Sequence, residues 1–436
     1  MSKTFLGHKV AAYDPQVRGD AITGERYYSK RWLEAEDKDL WSKTWHVAGM
    51  AADLEETGDY ISYNIGTDSI VALRQEDGTV KAFFNACIHR GNRLVWSDIG
   101  AVKQLACSYH GWKFGIDGML NEVQDAEDFP NGDPCGKLKL VEISCEEYLG
   151  FIWVHMDKDA TPVREWMGPI AEQLESYGME NMTRVMCISS EVDCNWKIIR
   201  DNFNEAYHIP TLHPGIATFI DDDYTDTVFE MYENGHNRMV MKGVQPSARS
   251  DKSDMVQAPL SDILTFWELN PADYEGKTAQ TRIAVQQQKR KLGKMKGYHY
   301  FDPLSDSQLT DYYHYTFFPN LTLTMGPDGF QVLRSDPHPT DPEKCIFEHW
   351  YMVPHIEGQD EVMTPIGLLP FEAADRDWRT YPDQTLGEVA DQDLSVILGQ
   401  QKGLHSRGYT GGVLTHQEKR VQRFHELLND TVNIHD

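Results

Sequence analysis

The chain of 436 residues has no apolar run long enough to cross a bilayer. Its densest stretch, Leu149 to Met156 (LGFIWVHM), falls far short of the roughly 20 residues a spanning helix needs and reads as a buried strand. The N-terminal MSKTFLGHKVAAYDP lacks the apolar segment and cleavage site of a secretion signal, so a cytoplasmic location is expected, with no membrane partner. Basic residues are scarce: 41 against 68 acidic ones, a net charge of −27. That balance argues against nucleic acid, whose binding needs a basic face, and against an anionic membrane surface. Cysteines number seven, an odd count and too few for a disulfide framework, so most are expected to be small buried hydrophobes. There is no glycine fingerprint after a strand to hold a dinucleotide, no flavin motif, no internal repeat and no low-complexity tract.

What is present suffices for a large core: 40% of residues are hydrophobic and 11% aromatic. Trp32, Leu33, Leu40, Trp41 and Trp45 have helical spacing in the lead-in. From about Asp59 the texture turns to short β runs, Tyr60–Tyr63, Ser69–Leu73 and Val80–Phe84, with a hairpin turn at Asp77-Gly78. A second turn at Asp117-Gly118 and the run Leu149–Val154 complete a compact antiparallel β domain over 42–158. The remainder, 1–41 and 159–436, mixes helix and strand. Trp196–Tyr207 is expected as a helix, and Tyr312–Phe318, Leu321–Met325, Phe330–Leu333 and Cys345–Val353 as strands. Helices from about Leu386 to Leu404 and Thr415 to Leu428 close the chain. The fold class is α+β. A polar stretch at 244–258 reads as a surface loop, and the basic cluster Lys289–Lys296 as the cationic end of a helix beginning near Thr278.

Two groups of residues carry chemistry. Cys87-Ile88-His89 and Cys107-Ser108-Tyr109-His110 form C-x-H and C-x-x-H, seventeen residues apart, each followed by glycine and each after an expected strand. Zinc also takes two cysteines and two histidines, but zinc fingers usually pair like with like within each half. One of each per half suits a 2Fe–2S Rieske centre, in which two cysteines hold one iron and two histidines the other. The second group lies in NWKIIRDNFNEAYHIPTLHPG. His208 and His213 would stand about 140° apart on an unbroken helix, but Pro210 between them cannot continue one. A helix ending near Tyr207 or His208 lets both imidazoles reach one ion. Glu205 and Asn202, at spacings of three, extend a polar stripe on that helix. Two histidines with one carboxylate form the facial triad of non-haem iron. Glu205 is a local candidate for that carboxylate or for a partner of His208.

CIHRGNRL and CSYHGWKFGIDG resemble the cluster loops of Rieske non-haem iron oxygenases, and NWK…DNFNEAYHIPTLHP resembles the catalytic motif of their α subunits. The resemblance implies an antiparallel β Rieske domain and a catalytic domain whose antiparallel sheet is flanked by helices. Cys87 and Cys107 would bind the inner iron, His89 and His110 the outer one, and His208 and His213 a mononuclear Fe(II). Glu205 would bridge the mononuclear site to His110 of a neighbouring subunit in a homotrimer; Asn202 is a further catalytic candidate. The third iron ligand would be an aspartate early in a late helix: Asp393 by its distance from Gln401-Lys402-Gly403, with Asp391 as the alternative. Electrons would come from a separate NAD(P)H-linked reductase, directly or through a ferredoxin, with or without a β subunit in the assembly. The reaction implied is insertion of oxygen from O2 into a small molecule. The aromatic run Tyr298–Phe318 and Phe219 point to an aromatic or related apolar substrate, with O- or N-demethylation or a quaternary ammonium compound held by cation–π attraction as the alternative. A non-catalytic Rieske electron carrier and a zinc-stabilised binding protein are the readings from other classes.

Overall fold

The computed structural model describes residues 17–434, together with the backbone of two short paired strands at Thr4–Phe5 and His8–Lys9. The chain divides into two units: Ala35–Trp166, and Met1–Glu34 joined with Met167–Asp436. Both mix helix with mainly antiparallel sheet, an α+β fold.

In the smaller unit seven strands pair in the order His46–Met50, Phe151–His155, Glu142–Tyr148, Val80–Phe84, Asp68–Arg74, Asp59–Ile65 and Ile99–Ala101. A three-stranded sheet, Leu105–Ala106, Lys113–Phe114 and Leu120–Glu122, lies beside them in sequence. The inward residues Val71, Leu73, Phe83, Leu105, Phe114 and Leu120 form one core, and Cys87, Cys107 and Trp112 belong to it. The two cysteine loops are thus rooted in packed side chains. The Asp77-Gly78 hairpin forms as expected, with Gly78 at φ +81° and Asp77 accepting from the Thr79 amide. Leu149, read from sequence as strand, instead sits in a turn at φ +54° beside Gly150 at φ +80°. Two residues of positive φ make a tight hairpin there, pairing Tyr148 with Phe151, and the apolar composition of the run conceals it.

The larger unit is built on a nine-stranded sheet. Its main path runs Ile220–Asp221, Asn237–Gly243, Tyr312–Phe317, Leu321–Gly326, Gly329–Pro337, Cys345–Pro354, Met182–Val192 and Asp377–Trp378, with Val228–Met231 paired beside Asn237–Gly243. Only the last pairing on that path is parallel. Helices Trp196–Asn202, Thr281–Leu292, Glu388–Gly403 and Lys419–Thr431 accompany the sheet. Asn237–Gly243 was not legible as a strand, because NRMVMKG has little β-branched content. Tyr313, Tyr315 and Phe317 are fully buried sheet core. Four of the five cations of the basic cluster are paired locally, as Lys289–Asp328, Arg290–Asp306, Lys294–Asp302 and Lys296–Glu268. Among the described residues no helix is long and apolar enough to cross a membrane.

The helix carrying the histidine motif ends five residues earlier than its periodicity suggests. Asn195 caps its start by accepting from the Lys197 amide at 2.9 Å, and the helix stops at Asn202. Among the described residues neither Asn202 Nδ2 nor the side chain of Asn204 bonds the backbone there, so the stop is not made by a side-chain cap. Pro210 then sits in the first turn of a new short helix, Ile209–Leu212, where a proline costs no hydrogen bond. Asn202 and Glu205 therefore do not share a helical stripe.

Candidate metal centres

The two cysteine loops repeat one backbone design. The Cys87 amide donates to the Asn92 carbonyl at 2.8 Å, and the Cys107 amide to the Trp112 carbonyl at 2.8 Å. Four residues after each cysteine a glycine reverses the chain, Gly91 at φ +76° and Gly111 at φ +72°, its amide returning to the cysteine carbonyl. The amides of His89 and Arg90 point at the Cys87 sulfur, and those of Tyr109 and His110 at the Cys107 sulfur. Burial pushes the Cys87 thiol up; at Cys107 the two amides, then the Cys87 thiol and the Asn92 side chain, outweigh burial and hold the thiol below its ordinary value. The two thiols touch each other, and the rings of His89 and His110 lie 4.6 Å apart. His89 stacks on Trp112 at 4.6 Å with an interplanar angle of 4°, which holds its ring in place. His110 Nδ1 is buried without a hydrogen-bond partner, a nitrogen left for a metal. A touching pair of thiols and a neighbouring pair of imidazoles carried on the same two loops fit a Rieske cluster, in which two cysteines hold one iron and two histidines the other.

The second centre draws on three segments. His208 precedes and His213 follows the short helix Ile209–Leu212, and Asp393 lies in the second turn of Glu388–Gly403. Their donor atoms all lie within 4.8 Å of one another. His208 Nδ1 faces Glu205 Oε1 at 2.6 Å, and His213 Nδ1 faces Gln392 Oε1 at 2.6 Å. Each Nδ1–H donates to its oxygen, so both Nε2 atoms present lone pairs inward. Asp393 Oδ1 is 2.8 Å from His213 Nε2 and 3.6 Å from His208 Nε2. Three acceptors pointed at one another at such distances repel unless a cation lies among them. Asp393 is almost fully buried, and among the described residues only the two imidazoles are within ion-pair reach of it. Burial would lower the His208 imidazole, yet Glu205 and Asp393 overcome it and raise the ring above its ordinary value. The donor set, two imidazole nitrogens and one carboxylate oxygen, fits ferrous iron.

Of the two aspartates weighed from sequence, Asp391 is committed elsewhere: it accepts from the Thr385 hydroxyl at 2.6 Å and the Leu386 amide at 2.9 Å. Glu205 also accepts from the amides of Tyr207 and His208, which locks its carboxylate against His208. Asn202 Nδ2 is buried without a hydrogen-bond partner and makes no contact with the histidines among the described hydrogen bonds. Sequence reading missed several supports. Gln392 orients His213, and Asn92 bridges the cysteine loops. His314 holds the Phe203 carbonyl, just before Glu205, at 2.6 Å and receives the Thr324 hydroxyl at 2.8 Å; burial pushes this ring down to about 3, so it is neutral. The Asp201 carboxylate receives Tyr27 at 2.6 Å and His425 at 2.9 Å, pinning the helix to distant parts of the chain. Ala206 and Ile209, which flank His208 in sequence, join Ala217, Ile220, Met239 and Met241 in an apolar cluster against which Phe219 and Tyr312 pack, their rings 6.1 Å apart.

A cysteine–histidine pair on each of two loops, with a two-histidine, one-carboxylate face in the same chain, defines a protein with one iron–sulfur and one mononuclear non-haem iron site. Comparison with known proteins gives the class. Residues 179–434 match the model of the ring hydroxylating alpha subunit (catalytic domain), and residues 44–133 that of the Rieske [2Fe-2S] domain. The chain belongs to the family of ring-hydroxylating Rieske oxygenase α subunits. It is 32% identical over 204 residues to the carnitine monooxygenase oxygenase subunit of Escherichia coli (strain K12), covering 46% of this chain and 54% of that one. It is 29% identical over 204 residues to the glycine betaine monooxygenase oxygenase subunit of Pseudomonas aeruginosa, covering 46% and 47%. The matched stretch thus spans about half the length of these curated relatives. Among solved structures, a quaternary ammonium Rieske monooxygenase with L-carnitine superposes with a TM-score of 0.64 at 20% identity over 95% of this chain and 96% of that one. Naphthalene 1,2-dioxygenase with indole does so with a TM-score of 0.63 at 19% identity over 94% and 91%. At such identities the likeness speaks for the fold alone.

Proposed function

We propose that the protein is the terminal component of an oxygenase, using O2 and electrons from a separate NAD(P)H-linked reductase, with or without a ferredoxin, to oxygenate a small organic molecule. The observation that carries this reading is the convergence of His208 Nε2, His213 Nε2 and Asp393 Oδ1 in a chain that also carries the paired cysteine–histidine loops. When bound, the cluster supplies single electrons and the ferrous ion binds and activates dioxygen. The chain's own residues prepare that site. Glu205 and Gln392 hold the Nδ1 protons and aim both Nε2 lone pairs, and Asp393 supplies the negative charge. Ile209, immediately after His208, is buried in an apolar cluster with Ile220, Met239 and Met241. In the homotrimer that this reading includes, Glu205 is the link through which His208 receives electrons from the partner subunit. Inter-subunit electron transfer is named for a quaternary ammonium Rieske monooxygenase of similar fold. A carrier using the cluster alone leaves the three converging ligands of the larger unit without a task. We place the protein in the cytoplasm.

Two substrate classes remain in play, and the relatives separate them. The expected aromatic wall is largely sheet core, with Phe219 and Tyr312 a ring pair packed on the apolar cluster that includes Ala206 and Ile209. Relatives named for carnitine, glycine betaine and choline favour a small quaternary ammonium compound, oxygenated at a carbon next to nitrogen, over an aromatic hydrocarbon. The test is product formation with a surrogate reductase across trimethylammonium, methoxylated and aromatic compounds, with NADH and O2 consumption matched to product. Coupled turnover of a trimethylammonium compound supports the first class and of an aromatic compound the second. Failure of every compound, with both metal sites loaded, would count against the oxygenase reading.

A further inference from the structure

The backbone around the two cysteine sulfurs is nearly symmetric, with two amides directed at each. The side chain of Asn92 breaks that symmetry. It belongs to the first loop but reaches the second: Nδ2 lies 2.9 Å from the Arg93 carbonyl oxygen, 3.2 Å from Ser108 Oγ and 3.7 Å from Cys107 Sγ. A carboxamide nitrogen carries two hydrogens. The Arg93 carbonyl, at the shortest distance, takes one, and the other is shared between Ser108 Oγ and Cys107 Sγ. The donor is well anchored. The Asn92 carbonyl accepts from the Cys87 amide at 2.8 Å, and the next residue, Arg93, bonds Asn64 at 2.5 Å and Ser69 at 2.6 Å.

We propose that Asn92 is a positioning residue that sets the reduction potential of the cluster through its N–H···S hydrogen bond to Cys107. The inference rests on the reading of Cys87, His89, Cys107 and His110 as the cluster ligands. An added electron makes the cluster sulfurs more negative, and a hydrogen bond to a more negative acceptor is stronger. A donor aimed at a ligand sulfur therefore stabilises the reduced state over the oxidised one and raises the potential. Ser108 moderates the effect, because its oxygen competes for the same hydrogen. The two side chains should thus act in opposite directions: removing Asn92 lowers the potential, and removing the Ser108 hydroxyl raises it.

The experiment is an anaerobic, mediator-poised titration of the full-length, cluster-loaded protein, followed by visible absorbance and by the electron paramagnetic resonance of the reduced cluster. Asn92→Ala and Ser108→Ala are compared with the wild type. At the wild-type midpoint, Asn92→Ala should show a reduced-to-oxidised ratio lower by up to about tenfold, equivalent to about 59 mV for one electron. Ser108→Ala should show a higher ratio by a smaller factor. An Asn92→Ala cluster with wild-type iron and sulfide content but an unchanged or raised midpoint overturns the proposal. Should that variant fail to load, Ser108→Ala decides alone, and an unchanged or lowered midpoint overturns it. A wild-type protein without a Rieske signal would instead defeat the cluster assignment.

Discussion

Replacing Gln392 tests whether the mononuclear site is organised as its geometry indicates. Gln392 touches no metal; it accepts the Nδ1 proton of His213 at 2.6 Å and so selects the tautomer whose Nε2 faces Asp393. In Gln392→Leu that acceptor is gone, and the ring can rotate or shift its proton to Nε2, where it would donate to Asp393 and close the site against a cation. Loss of an outer partner of a metal-bound histidine typically costs 10- to 100-fold in metal affinity, or about 1.4 to 2.7 kcal/mol. The stability cost should be smaller, because the side chain is only half-buried. The assay is competition for Fe(II) against a chromophoric chelator under anaerobic conditions, with the cluster absorbance as internal control. Gln392→Leu should release the mononuclear iron at 10- to 100-fold lower chelator concentration with the cluster bands unchanged, and Gln392→Glu, which keeps an acceptor oxygen, should bind near wild-type strength. Wild-type iron affinity in Gln392→Leu would refute the tautomer argument.

Three further outcomes follow from the same geometry. Asp393→Ala should lose the mononuclear iron, whereas Asp391→Ala should keep it and lose about 1 to 2 kcal/mol of stability in urea unfolding, the worth of its hydrogen bonds to Thr385 and Leu386; iron loss in Asp391→Ala alone would reverse the assignment. Glu205→Gln should retain both metal sites and the substrate KM yet lower kcat by at least about tenfold, in line with loss of a partner to a metal-bound histidine, and wild-type kcat would contradict its role as the link to His208. Burial pushes His349 down to about 4, with its ring between the Leu386 carbonyl and Gln331. The unfolded chain takes up this proton near pH 6.5 and the folded one only near 4, so the stability held above 6.5 is lost as pH falls through that window, at most about 3 kcal/mol. His349→Gln should flatten the acid side of the stability–pH curve, and an unaltered slope would show that this ring does not contribute.

Legibility in the sequence followed the distance between partners. The cysteine–histidine loops could be read because each half is contained in a few residues with a glycine at the same place, Gly91 and Gly111. His208 and His213 were equally local, although the helix before them stops at Asn202 while the helical spacing of the sequence runs on to Tyr207. Asp391 and Asp393 could not be separated by spacing alone, since an acidic residue early in a helix is favoured by the dipole either way. Only the tertiary fold shows one bonded to Thr385 and the other facing the histidines. Gln392 and His213 are 179 residues apart, and Tyr27 and His425 meet on Asp201 from near opposite ends of the chain. No local pattern encodes such contacts. Apolar strands such as Asp68–Arg74, Phe151–His155 and Cys345–Pro354 were visible, whereas the polar Glu142–Tyr148 and the two-residue strands Leu105–Ala106 and Lys113–Phe114 were not, and the turn at Leu149-Gly150 was hidden by its apolar neighbours.

The account stands most directly on the metal content of anaerobically purified protein, measured together with its electron paramagnetic resonance before and after reduction, in the wild type and in His213→Ala. The wild type should hold about three irons and two acid-labile sulfides per chain with a reduced Rieske signal. His213→Ala should lose one iron and keep both sulfides and the signal. A colourless zinc protein, or a variant that loses the cluster along with the mononuclear iron, would contradict two separate centres in one chain.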